Sequence, residues 1–168
     1  MPMRWFNKIA THQLTLLVIR IIVGGVFLLY GVAKALAPLD QFNQSILDYQ
    51  LLPEFIVPTF AVVMVIVEIA VGLSLILGIY TRYAALATGA LLIVFLIAIG
   101  QAMLRGLALP DCGCSGGFIK LGETPVEVFV RDAIMLVMLV PILLKTRAGQ
   151  VAPWTVDKWF ELRRPPKV

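Results

Sequence analysis

The sequence predicts an all-α integral membrane protein, a bundle of four transmembrane helices with short interfacial helices in a single domain over residues 1–168. Three observations carry this. Hydrophobic residues make up 60% of the chain and charged residues only 14%, against about 25% charged in soluble domains, too few to clothe a water-facing surface. The mean hydropathy is +0.94. The apolar residues also gather in four runs, about 14–36, 55–80, 83–104 and 125–144, separated by short polar breaks. Each run approximates the ~20 residues with which a helix crosses ~30 Å of hydrocarbon, and none alternates as a membrane barrel strand would.

Trp5 and Phe6 precede the first run and read as an interfacial anchor. "ALA" at 35–37 resembles a signal cleavage box, but the apolar stretch is too long for a signal core and Pro38 would follow the cut. The run is read as a retained helix. In the connection "LDQFNQSILDYQLLPEF", Phe42, Ile46 and Tyr49 recur at helical spacing and predict a short amphipathic helix on the outer face, ended by Pro53. In the second long helix Ala70, Ser74 and Gly78 form a small-residue stripe that would admit a close neighbour. The fourth long helix opens on "TPVE", where Thr124 and Glu127 can form a capping box and Pro125 suits the first turn. Pro141 is expected to kink it. The tail 145–168 sets Trp154, Trp159 and Phe160 among basic residues, the pattern of a further interfacial helix.

The net charge of +4 points to lipid rather than nucleic acid because of its distribution. Arg4, Lys8, Arg82, Lys145, Arg147, Lys158, Arg163, Arg164 and Lys167 fall at helix ends that a four-span topology places on one side. The other side has Lys34, Arg105 and Lys120 against Asp40, Asp48, Glu54, Asp111, Glu123 and Glu127. The positive-inside rule then sets both termini in the cytoplasm of a multi-pass cytoplasmic-membrane protein, and the 105–124 connection outside it.

Four ionisable residues interrupt the apolar runs: Arg20, Glu68, Arg131 and Asp132. At a helix centre each costs on the order of 2.5–3.5 kcal/mol on insertion scales, so each calls for a partner or a function. Arg20, Gly24, Phe27, Gly31 and Lys34 share one helical face. Depths differing by roughly 8 Å leave Arg20 and Glu68 within reach of each other, and an Arg20–Glu68 pair is expected. Such a pair serves either as structural glue or as part of a polar, proton-conducting site. Glu127 stands four residues before Arg131, the spacing of an ordinary intrahelical ion pair, which leaves Asp132 on another face.

The only two cysteines, Cys112 and Cys114, sit in "DCGCSGGF". A Cys-Gly-Cys pair can cycle between dithiol and a tight, strained disulfide, which exchanges readily. Arg105 and Lys120 nearby favour the thiolate, while Asp111 opposes it. Two thiolates are half a zinc or copper(I) site, and the sole histidine, His12, belongs to the opposite side. A disulfide between residues this close closes a small loop and stabilises little. Redox exchange is therefore the leading expectation, with Cys112 and Cys114 as metal ligands, or as a structural bridge, the alternatives.

"RIIVGGVFLLYGVAKAL" (20–36), "YQLLP" (49–53), "EIAVGLSLILG" (68–78) and "LRGLALPDCGCSG" (104–116) resemble the DoxX-related membrane proteins, most of all their methylamine-utilisation MauE branch. The resemblance spans nearly the whole chain. It implies a four-helix bundle that assists disulfide formation in periplasmic partners beside a thioredoxin-like protein. The wider group includes a quinone-linked thiosulfate oxidoreductase subunit and companions of metal-handling systems. In the MauE branch an aromatic residue and a glycine often follow the second cysteine; here Ser115, Gly116 and Gly117 do.

The expected function is thus a membrane thiol–disulfide oxidoreductase. Cys112 and Cys114 would exchange with a periplasmic thioredoxin-like or other cysteine-containing partner. Electrons would pass to or from a lipid carrier, most simply a quinone, near a polar face containing Arg20, Lys34, Glu68, Arg131 and Asp132. The rival classes are a metal-binding or transport accessory using the same thiolates, and a non-catalytic membrane anchor.

Overall fold

The computed structural model describes residues 13–107, 124–147 and 156. Trp5 and Phe6, both cysteines, and the expected tail beyond Arg147 except Val156 lie outside the described residues. The described chain forms α1 (Gln13–Leu36), α2 (Leu39–Asp48), α3 (Val57–Leu77), α4 (Thr81–Leu104) and α5 (Pro125–Arg147). Three of these, over Leu14–Leu36, Val57–Leu77 and Thr81–Leu104, are long and apolar enough to cross a membrane. With 23 residues α5 matches them in length, roughly 35 Å at 1.5 Å per residue, but it carries Glu127, Arg131, Asp132 and Lys145. The protein is an all-α membrane protein.

The four long helices close a ring. α1 packs chiefly on α3 and α4 on α5, with α3 against α4 and α5 returning to α1; α2 rests on α3. Burial is inverted relative to a soluble domain. Ile66, Ile97 and Val137 are 60%, 63% and 70% exposed, while Arg20, Lys34, Glu68, Thr88 and Asp132 are buried. Apolar side chains facing outward are at home against lipid tails, and polar ones turn into the bundle.

Glycine sets the distance between α1 and α3. A Cβ on Gly72 would lie 2.7 Å from the Leu28 amide nitrogen and 2.9 Å from the Gly24 carbonyl oxygen, and one on Gly31 would lie 2.8 Å from Ile69 Cγ1. Backbone therefore meets backbone, as small-residue contacts between membrane helices permit. The expected stripe of Ala70, Ser74 and Gly78 is not this contact: Ala70 is exposed and Ser74 only half-buried. A period of four can be phased in more than one way on this helix, and packing selects the phase through Glu68 and Gly72.

The helix ends follow local chemistry. Gly78 stops α3 in the left-handed region (φ 70°), its amide donating to Ser74 O, and Tyr80 (φ 47°) turns the chain into α4. These two positive-φ residues shorten α3 by three residues and start α4 two residues earlier than predicted. α2 buries Phe42, Ile46 and Tyr49 as its spacing predicts. It ends at Asp48, with Gln50 at φ 53°, so the reversal precedes Pro53. At α5 the expected capping box is present: the Thr124 amide donates to Glu127 Oε2 (3.4 Å) and the Glu127 amide to Thr124 Oγ1 (3.3 Å). α5 continues as one helix through Pro141 to Arg147.

Candidate functional site

Three helices deliver charged side chains to one buried point. Lys34 of α1 donates to both carboxylate oxygens of Glu68 of α3, at 2.6 Å to Oε1 and 2.9 Å to Oε2. From α5, Arg131 donates through Nε (3.1 Å) and Nη2 (3.0 Å) to Asp132 Oδ1, and through Nη1 to the Tyr30 hydroxyl of α1 at 2.8 Å. Its guanidinium also lies 4.7 Å from the centre of the Tyr30 ring. Lys34, Glu68 and Asp132 are each at most 2% exposed. Two cations and two anions cancel, which is how a low-dielectric interior tolerates four formal charges. Between the two pairs lies a cavity of about 20 Å³ lined by Tyr30, Lys34, Glu68, Arg131 and Asp132, with Phe27 and Phe95 among its apolar walls. That is room for a single water with several polar partners.

The expected Arg20–Glu68 pair is not formed; Glu68 belongs to Lys34. The reason is the lean of side chains on antiparallel helices. Every Cα–Cβ bond tilts toward its own helix N-terminus. Lys34 and Glu68 therefore lean toward each other along the bundle, whereas Arg20 and Glu68 lean apart. Arg20 instead donates through Nε to Leu75 O (3.0 Å) and through Nη2 to Ile76 O (3.3 Å). These carbonyls belong to the last turn of α3, whose final carbonyls lack helical donors and carry the negative end of the helix dipole. Arg20 thus lies apart from the cluster, which unites the other four expected polar residues, Lys34, Glu68, Arg131 and Asp132.

Asp132, which the spacing left without a role, takes its neighbour Arg131. Glu127, the residue the i,i+4 rule offered to Arg131, serves the capping box. Tyr30 was missed by sequence reasoning. The available signal was its place one turn before Lys34 on the face of Phe27 and Gly31.

Cys112 and Cys114 lie outside the described residues, but both flanks of their segment are described. Arg105, just past α4, donates to Gln50 Oε1 (2.9 Å) and Gln101 Oε1 (3.2 Å), and Gln101 Nε2 donates to Tyr49 O (3.0 Å). Leu107 packs on a cluster of Tyr49, Ile99, Ala102 and Val128. Its described flanks thereby lie at the α2 end of the bundle, which is also the Lys34 end of α1. Among the described residues no three His, Cys, Asp or Glu side chains converge on a metal position.

The sequence profile of the family described as methylamine utilisation protein MauE matches residues 12–145. The methylamine utilization protein MauE of Paracoccus denitrificans is 32% identical over 109 residues, which are 65% of this chain and 58% of that relative. The chain therefore spans less than two thirds of the relative's length. No solved structure matches significantly.

Proposed function

Because the chain belongs to the MauE family, we infer that it serves methylamine utilisation as a membrane thiol–disulfide oxidoreductase working through Cys112 and Cys114. In this reading one thiolate of a reduced partner protein attacks the Cys112–Cys114 disulfide and forms a mixed disulfide. The partner's second thiol resolves it, leaving the partner oxidised and the Cys112–Cys114 pair as a dithiol. Reoxidation returns two electrons and two protons per cycle to a lipid-soluble carrier of the quinone class. The observation that carries the reading is the pair itself: the chain's only cysteines, one glycine apart, in a segment whose described flanks lie at the α2 end of the bundle. The basic residues gathered at the other helix ends support cytoplasmic termini and an extracytoplasmic cysteine segment, the side on which disulfides persist.

The test is trapping in cells. In Cys112→Ser and Cys114→Ser variants, the remaining thiolate can attack the disulfide of the oxidised partner in the reverse exchange, releasing the partner's second thiol. The variant that keeps the partner-facing cysteine should accumulate a reducible higher-mass band. The other should trap nothing, and both should lose partner oxidation. Loss of bound copper or zinc in both variants, with no trapped partner in either, would instead mean a metal site. Full partner oxidation by both single variants would sink the redox reading.

A further inference from the structure

A second cavity adjoins the buried cluster. It has a volume of about 240 Å³ and is enclosed by α2, α3 and α4, with Phe42, Tyr49, Phe60, Met64, Phe95 and Ile99 among its walls. Lys34 and Phe95 line both this cavity and the small polar one. Among the described residues, Lys34 is its one charged lining residue. The ammonium carries three N–H groups. Two go to Glu68, and Nζ also lies 4.9 Å from the centre of the Phe42 ring and 5.4 Å from that of Phe95. Leu51 and Val94, about half exposed, also line the cavity, so it borders the apolar outer surface of the bundle.

We propose that this cavity is the binding site for the ring of a membrane-dissolved quinone, with a ring carbonyl accepting the third N–H of Lys34. The ligand class follows from the lining. An apolar cavity of about 150 Å³ already holds a benzene ring, so this one accommodates one substituted ring while the hydrocarbon tail stays in lipid. Aromatic walls with one placed donor are the usual make-up of a small-molecule site. A lipid acyl chain would leave that donor unused; a quinone carbonyl satisfies it. Glu68 holds the ammonium at the cavity edge, and the polar cavity behind it offers a path for protons. The proposal rests on the redox reading above and supplies its electron acceptor: the Cys112–Cys114 dithiol becomes a disulfide, and the quinone takes up the two electrons and two protons as the quinol. Tyr49 and Ile99, on the cavity wall, belong to the cluster on which Leu107 packs, five residues before Cys112. Leu107, the last described residue before the cysteine segment, therefore packs beside the wall of the site.

The experiment is equilibrium binding of decylubiquinone to the full chain in lipid nanodiscs, with decylbenzene as a competitor that keeps the ring and tail and lacks the carbonyls. Saturable binding at one per chain is expected. Ala98→Phe, which fills the cavity without touching an ion pair, should weaken it at least about tenfold. Lys34→Met combined with Glu68→Leu removes the donor without stranding a charge and should weaken it by a similar factor, about one hydrogen bond to a charged group. Decylbenzene should displace the quinone poorly. Absence of saturable binding, an unchanged affinity in Ala98→Phe, or equal displacement by decylbenzene would overturn the site, the last marking an acyl-chain slot. If the double variant does not fold, Ala98→Phe and the competitor still decide. The readout does not involve the cysteines, so a Cys112→Ser, Cys114→Ser chain must bind equally well. Quinone binding without partner trapping removes the redox reading alone, and trapping without quinone binding removes the site alone.

Discussion

Arg20 and Lys34 stand four turns apart on the same face of α1, and both are buried, yet they solve the problem of a buried cation in different ways. Arg20 reaches the terminal carbonyls of α3, so its charge meets backbone dipoles. Lys34 meets a carboxylate, beside two cavities. The planar, forked guanidinium suits two carbonyls on successive residues; the compact ammonium suits a carboxylate and keeps a donor to spare. The difference supports the proposed placing of function in this bundle. At the Arg20 end, Leu16, Val23, Leu75, Ala85 and Leu139 belong to one buried apolar core. The Lys34 end holds two cavities, and the described flanks of the cysteine segment lie at that end.

The comparison makes unequal demands that substitutions can expose. The largest effect belongs to Glu68→Leu, which strands Lys34 as an unpaired buried charge and should destabilise the bundle by about 3–5 kcal/mol. The paired change Lys34→Met with Glu68→Leu should recover most of this. Thermal unfolding in detergent checks both, and additive losses in the cycle would show that the two residues do not interact. Next comes Gly72→Ala. Its Cβ must push α3 off the backbone of α1, at a cost of about 1–3 kcal/mol, whereas Gly25→Ala, with nothing within 4 Å of the new atom, should be silent in the same assay. The smallest is Arg20→Met. It removes the hydrogen bonds to Leu75 O and Ile76 O, and a loss of about 1–2 kcal/mol is expected, partly regained by Arg20→Lys. An Arg20→Met loss as large as that of Glu68→Leu would erase the distinction between the two ends.

Much of this architecture is written in spacing along the chain. The apolar runs mark the long helices to within a few residues. The 42, 46, 49 spacing marks α2 and its buried face, "TPVE" marks the start of α5, and the 20, 24, 27, 31, 34 stripe marks the buried face of α1. Each is a contact between residues three or four apart, or a burial pattern with that period, and a single helix is enough to determine it. The spacing rule misleads where two candidates share one period. It offered Ala70, Ser74 and Gly78 as a packing face, and Glu127 as the partner of Arg131.

Partner choice between helices was decided only by the tertiary structure. Depth along the bundle left Arg20 within reach of Glu68, but reach is not direction. Once α1 and α3 run antiparallel, the tilt of each Cβ toward its own N-terminus brings Lys34 to Glu68 and carries Arg20 away to the end of α3. The separation at which this happens is set by Gly24, Gly31 and Gly72, whose missing side chains let the two backbones touch. The placing of Tyr30 against Arg131, and the cavity that α2 encloses with α3 and α4, likewise depend on helices distant in sequence. A sequence alone thus states which residues must be buried and which carry charge. The distance and orientation between helices, on which electrostatics and cavity shape depend, come into being only when the helices pack.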